Sequence, residues 1–374
     1  MGEIGKRLIF VDGEKVEIEN FDVPSPGPHQ ALVRIHRTQV SGGSEISGLL
    51  LESKEGTSGT GSGSTFKMAK RKKGKHPSGY TAVGHVLEVG KHMKRFKPGD
   101  RVIAMANHSS HCLTGAPSDQ SNTKSINIPS SQTKPVSLVS REQSNMYPIE
   151  FDITYEQATF AGPLGYVALH GVRRAKLQIG ESVAIMGQGV IGQMITAYCR
   201  LSGAYPVIAV DTDDNRLSLS KTSGATHTVN PSREDPVKSI KDLTGDGAES
   251  VFFATRVPEP FTDCINSAAD HGKVIIVGMS TANAEIELNG AIFRRELDVM
   301  AVFDRGDTHA QPHPYMPWVH SRNYSTVMGM IGRGDLNVDH LISHVAKPEE
   351  ANELYHQMLQ GPKGWMSVLF DWDD

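Results

Sequence analysis

Residues 183–194 read VAIMGQGVIGQM, and the glycines at 187, 189 and 192 govern how the rest of the chain is read. ESVAIMG (181–187) has the composition of a short buried strand, and VIGQMITAYCRLSG (190–203) has helical spacing closed by a glycine. The pattern Gly-x-Gly-x-x-Gly is weak alone. It becomes a dinucleotide-binding fingerprint when it joins a strand to a helix and an acidic residue ends the next strand about 20 residues on. Asp211 stands there, closing PVIAVD (206–211). Gly187 permits the tight turn, Gly189 the close approach of a pyrophosphate, and Gly192 close packing of helix on strand. The turn residue Gln188 and the free N–H groups around Val190 and Ile191 face the phosphate charge. Asp211 can accept both adenosine ribose hydroxyls and would repel a 2′-phosphate by about one to several kcal/mol. NAD is therefore expected over NADP, although Arg216 supplies a nearby cation that can turn towards a phosphate.

Working outward, strand-like and helix-like stretches keep alternating through DDNRLSLSKTSG (213–224), THTVN (226–230), DPVKSIKDLTG (235–245), SVFFAT (250–255), PEPFTDCINSAAD (258–270) and GKVIIVG (272–278). Such alternation predicts an α/β domain with a doubly wound parallel sheet. The first third reads instead as β-structure, with a hairpin around Asp12-Gly13 and strands in QALVRIHRTQV (30–40), AVGHVLEVG (82–90) and RVIAMA (101–106). Two long polar stretches, 52–76 and 113–145, interrupt it and read as functional loops or mobile insertions. The tail carries a helix near 317–332 and a closing strand, SVLF (367–370).

At 374 residues the chain is long enough for two cores. Its formal charge of −4 gives no overall pull towards nucleic acid or an anionic membrane. The basic run 67–76 has no interleaved aromatic platform for bases and reads as a solvated loop or as a rim for an anionic substrate. Cys112, Cys199 and Cys264 are too dispersed for a disulfide framework or a Cys-x-x-Cys metal site. No signal peptide or membrane-length apolar run is present, so a soluble, cytoplasmic protein is expected.

GYTAVGHVLEVG (79–90), FKPGDRV (96–102), FAGPLGYVALHGVRRAKLQIGESVAIMGQGVIG (160–192) and LISHVAKPEEANELY (341–355) together resemble the medium-chain dehydrogenase/reductase superfamily, in its polyol and threonine dehydrogenase-like branch. The resemblance implies a GroES-like β-rich catalytic domain from residues 1–163 and 304–374, with a Rossmann domain, 164–303, inserted between its halves. It also implies substrate in the cleft beside the nicotinamide, and a homodimer or homotetramer through the Rossmann sheet edge. Val277, Gly278 and Met279 match the strand end that meets the cofactor's carboxamide.

Zinc members of the branch carry Cys-Gly-Ser-Asp-x-His, Gly-His-Glu and Glu-Pro-Leu at stretches that read GGSEIS (42–47), GYT (79–81) and GPL (162–164) here. Gly42, Tyr80, Thr81 and Gly162 replace the ligand candidates, so no catalytic zinc is expected, since such an ion takes three N, O or S ligands. Tyr80 then occupies the vacated slot and is the candidate acid or base. Ser44 matches the family's relay hydroxyl and Ser47 replaces the histidine that continues the relay. Glu45 matches a carboxylate behind the metal and is a candidate to orient the Ser44 region or to act as a base. Ser47, Thr81, His108 and Trp318 are expected to line the substrate site; His108 and His111 otherwise read as surface residues, and His170 as the start of a helix. The reading is a zinc-independent, NAD-dependent oxidoreductase of a secondary alcohol or ketone, with a polyol, cyclitol or sugar derivative as substrate. A metal-free quinone or enoyl reductase and a non-catalytic NAD(H)-binding protein are the alternatives.

Overall fold

Asp12 and Gly13 both take left-handed backbone angles, φ 52° and 69°, and turn β1 (Ile4–Val11) back onto β2 (Lys15–Asp22). A computed structural model describes residues 3–46, 74–116, 146–278, 284–303, 318–361 and 363–373. Ser47, Met279 and most of the stretches 52–76, 113–145 and 305–318 lie outside the described residues.

The β-rich part continues with β3 (His29–Gln39), β4 (Lys75–Pro77), β5 (Ala82–Val89), β6 (Arg101–Ala104), β7 (His111–Ala116) and β8 (Met146–Pro148). Two helices follow, α1 (Tyr155–Thr159) and α2 (Pro163–Ala175). Because α2 starts at Pro163, His170 is a buried mid-helix residue rather than a helix start. Proline suits that first helical position, where its missing N–H would have had no partner.

The alternating segment forms β9 (Val183–Met186), α3 (Val190–Leu201), β10 (Val207–Val210), α4 (Asp214–Thr222), β11 (His227–Val229), α5 (Pro236–Thr244), β12 (Ala248–Phe253), α6 (Pro260–Ser267), β13 (Ala268–Ile276) and β14 (Asp298–Ala301). Among the described residues these strands form one parallel sheet in the order β11-β10-β9-β12-β13-β14. The order reverses between β9 and β12, which opens a crevice at their carboxyl ends. VAIM and VIAV in β9 and β10 are buried throughout, as strands covered on both faces must be.

The tail supplies α7 (His320–Gly332), β15 (Ile342–Ala346), α8 (Ala351–Leu359) and β16 (Ser367–Asp371). Leu369 of β16 pairs antiparallel with Gln39 of β3, so the last strand sits beside an early one in the order β15-β16-β3-β5-β6-β8. One core cluster joins Val33, Val86 and Phe370 within this sheet; others fill the two faces of the parallel sheet. No helix among the described residues is long and apolar enough to cross a membrane.

Candidate active site

The phosphate loop is shaped by close approach. Gly187 has φ 97°, and a Cβ on Gly192 would lie 1.9 Å from the Gly187 carbonyl oxygen. A Cβ on Gly189 would meet nothing within 4 Å, so this face of the loop is open where a pyrophosphate would rest. Helix α3 starts immediately after, with Val190 and Ile191 in its first turn. Asp211 accepts from the Gln188 N–H at 2.7 Å and from the Asp213 N–H at 2.9 Å, which fixes its carboxylate against the loop. These features fit a dinucleotide. Arg216 Nη1 lies 3.9 Å from Asp211 Oδ2. Burial, and then the charge of Arg216, depress the Arg256 guanidinium below its ordinary range.

The loop after β12 connects this crevice to the β-rich half. Cβ atoms on Gly187 and Gly278 would come within 3.0 Å of Ala254 O and 2.1 Å of Thr255 O respectively. Gly278 N–H also donates to Phe253 O at 2.7 Å, while buried Val277 packs against Gly171 of α2. Next along, the Arg256 Cδ lies 3.6 Å from where a Gly43 Cβ would be. Gly43 belongs to the turn after β3, and that turn also holds Ser41 and Glu45. The Tyr80 phenol donates to Ser41 Oγ. Phosphate loop, Arg256 and Tyr80 are thus joined through adjoining contacts.

Behind Tyr80 lies a buried polar network. Glu45 Oε1 accepts from the Ser41 N–H at 2.6 Å. Its Oε2 meets His108 Nε2 at 2.9 Å, the Tyr355 hydroxyl at 2.5 Å and the Ser78 hydroxyl at 3.3 Å. His108 Nδ1 lies 2.7 Å from Thr38 Oγ1, which accepts from Trp372 Nε1 at 2.9 Å. The indole only donates, so Thr38 Oγ1 accepts from it, and an ionised Glu45, which only accepts, takes the N–H of His108 Nε2. Burial would raise the Glu45 carboxyl, but His108, Tyr355 and the Ser41 N–H outweigh it and hold the group below the usual carboxylate range. Burial and then Glu45 push the Tyr355 phenol well above its ordinary value. His108 packs on Gly79, where φ is 89° and a Cβ would lie 2.6 Å from the ring, and this fixes the backbone entering Tyr80.

Several expected residues are therefore placed differently. His108 is 0% exposed and His111 4%, so neither is a surface histidine. Glu45, at 6%, is buried, and it is linked to Tyr80 through Ser41. Ser44 is exposed. Thr81 is buried against Gly162, where a Cβ would come 2.7 Å from its Cγ2, and its hydroxyl has no partner among the described residues. The Trp318 ring carries the guanidinium groups of Arg173 and Arg322 at 3.8 and 4.2 Å. Burial and then Arg322 lower Arg173 to about 10. The sequence does not single out Ser41, Thr38, Tyr355 or Trp372, since their partners lie far along the chain or come together only through packing.

Gly42, Tyr80, Thr81 and Gly162, which the resemblance puts at the zinc-ligand positions, include no thiolate, imidazole or carboxylate, and among the described residues no group of three or more His, Cys, Asp or Glu is arranged for a metal.

Comparison with known proteins agrees with the fold. The alcohol dehydrogenase GroES-like domain family matches residues 27–127, and the zinc-binding dehydrogenase family matches 190–321. L-threonine 3-dehydrogenase of Pyrococcus abyssi is 27% identical over 354 residues, 93% of each chain. Sorbitol dehydrogenase of Bacillus subtilis is 27% identical over 297 residues, 78% of this chain and 79% of its own. A zinc-binding dehydrogenase structure from Sinorhizobium meliloti 1021, bound to NADP, superposes with a TM-score of 0.73 at 22% identity over 99% of each chain, a likeness of fold alone. The chain belongs to the medium-chain dehydrogenase/reductase superfamily, on its polyol and threonine dehydrogenase-like branch, and is an NAD(P)-dependent dehydrogenase of that type.

Proposed function

We propose that this enzyme is a zinc-independent, NAD-preferring dehydrogenase of secondary alcohols, acting on a polyol, cyclitol or sugar derivative. The carrying observation is the Tyr80 phenol, bonded to Ser41 in the turn that meets Arg256 beside the phosphate loop. Relatives named for sorbitol and L-threonine support an alcohol substrate. A bound nicotinamide dinucleotide supplies or accepts the hydride. The chain's own part is to hold the substrate oxygen at Tyr80 Oη, move the proton there, and orient the substrate, which can remove much of a barrier without a Lewis acid. The division into 1–163 with 304–374 and 164–303 is supported by β16 pairing with β3 and by the parallel sheet running from β9 to β14.

The test offers the purified enzyme a panel of polyols and ketones, plus an enone, with each reduced or oxidised nucleotide, and separates products by chromatography. Alcohol–ketone conversion that persists after chelation, with no stoichiometric zinc by elemental analysis, is expected. Reduction of the enone alone, or zinc bound in step with activity, overturns the proposal.

NAD preference rests on Asp211. Asp211→Ser is expected to move the ratio of kcat/KM for NADH over NADPH roughly 10- to 100-fold towards NADPH, by removing the charge facing a 2′-phosphate. A wild-type enzyme that already favours NADPH would show that Arg216 prevails. Dimerisation through the edge strand β14 is likewise proposed, from exposed Val299 (40%), Phe303 (64%) and Phe293 (76%) along or near it. Light scattering should give a dimer, reduced to a single chain by Val299→Asp with Phe303→Asp; a monomeric wild type rules this interface out. Work in the cytoplasm is supported by the unpaired state of Cys112, Cys199 and Cys264, and fractionation with a marker enzyme tests it.

A further inference from the structure

The serine expected to serve the reacting centre, Ser44, is exposed, whereas Ser41 is buried with its Oγ against the Tyr80 phenol. Ser41 is itself held through its backbone on both sides of its Cα. Its N–H donates to Glu45 Oε1 at 2.6 Å, and its carbonyl accepts from the Glu45 N–H at 3.0 Å. Glu45 in turn is anchored by His108 and by Tyr355 of α8. A small hydroxyl on a backbone pinned in this way can do one thing that a packing residue cannot. It can accept a hydrogen bond from a phenol and, by rotating its own O–H, donate one to a phenolate.

We infer that Ser41 is the positioning residue for Tyr80: its hydroxyl accepts from the phenol and turns to donate to the phenolate once the proton has left. This deepens the proposed function and rests on Tyr80 being the acid and base. In ketone reduction the carbonyl carbon gains a hydride, with its electron pair, from a dihydronicotinamide. The C=O π pair takes the Tyr80 proton, giving the alcohol, the oxidised nicotinamide and a phenolate that solvent reprotonates. In alcohol oxidation the phenolate is the base, and Ser41 O–H stabilises it. Glu45 and His108 act one step further back, through the Ser41 backbone.

Among the described residues, Glu45 bonds the Ser41 backbone, His108 from the loop after β6 and Tyr355 from α8 bond Glu45 in turn, and Arg256 lies beyond Gly43. The experiment is therefore the pH profile of kcat for alcohol oxidation in wild type, Ser41→Ala, Ser41→Cys, Ser41→Thr and Tyr80→Phe. A hydrogen bond to a charged group is worth about 1.5–3 kcal/mol, so Ser41→Ala should lose roughly 10- to 100-fold in kcat at neutral pH. Its rising limb should move to higher pH by about one to two pH units. KM for the nucleotide should stay near wild type. Ser41→Cys keeps the shape, weakens the donor and should shift the limb in the same direction, so the result does not depend on the alanine variant folding. Ser41→Thr, which keeps the hydroxyl, should restore the limb. A limb that stays in place in both Ser41→Ala and Ser41→Cys overturns the inference even if kcat falls. Tyr80→Phe separates the two layers: full activity there sinks the underlying reading, whereas loss of activity with an unmoved serine limb sinks the role of Ser41 alone.

Discussion

Tyr80→Phe is expected to lower kcat by about 10²–10⁴-fold while leaving nucleotide affinity near wild type. The change deletes one oxygen, the one hydrogen-bonded to Ser41 Oγ, and leaves the ring to fill the same volume beside Gly79. The cofactor loop lies on the other side of Arg256 and keeps Gly187, Gly192 and Asp211 untouched. An interaction made only as the proton moves lowers kcat and kcat/KM together, which distinguishes this loss from simple loss of binding. Steady-state kinetics on the best alcohol of the panel, with nucleotide affinity followed by fluorescence, is the measurement. A variant within about threefold of wild type would remove Tyr80 from the chemistry.

The second large effect concerns stability. Glu45→Ala is expected to cost about 3–5 kcal/mol, because removing one partner of a buried pair leaves the others desolvated and unmatched. Here the Ser41 N–H, the Tyr355 hydroxyl and His108 Nε2 all lose their acceptor. Glu45→Gln should cost less, since the amide oxygen still accepts. The pH dependence follows from the depressed carboxyl. A carboxylate bound more tightly to its partners in the folded chain contributes stability that is present above its unfolded value, near about 4.3. That contribution is lost as pH falls through the lower folded value. The gap between wild type and variant should therefore be full at neutral pH and narrow below about pH 4. Denaturant midpoints across that range measure it, and a gap below about 1 kcal/mol at neutral pH would mean that the network is only weakly coupled to folding.

The crevice and the proton site were not equally legible in the chain. Gly187, Gly189, Gly192 and Asp211 lie within one strand–helix–strand unit, so spacing and residue type were enough to anticipate a dinucleotide crevice between β9 and β12. The N-terminal hairpin was readable for a similar reason, since Asp12-Gly13 must turn the chain wherever it lies. His108 is buried rather than at the surface, and nothing near it in sequence reveals what covers it. Its partners Thr38 and Glu45 come from β3 and the turn after it, and Tyr355 from α8.

By itself the sequence determined the alternating α/β segment and its glycine-rich loop, because each is written in neighbouring residues. Only the tertiary structure decided that Ser41 rather than Ser44 meets Tyr80, and that Glu45 is enclosed with His108, Tyr355 and, through Thr38, Trp372. The physical reason is that a buried polar group takes whichever partner the packing brings within reach. Here β16 and α8, from the far end of the chain, close over the turn that follows β3.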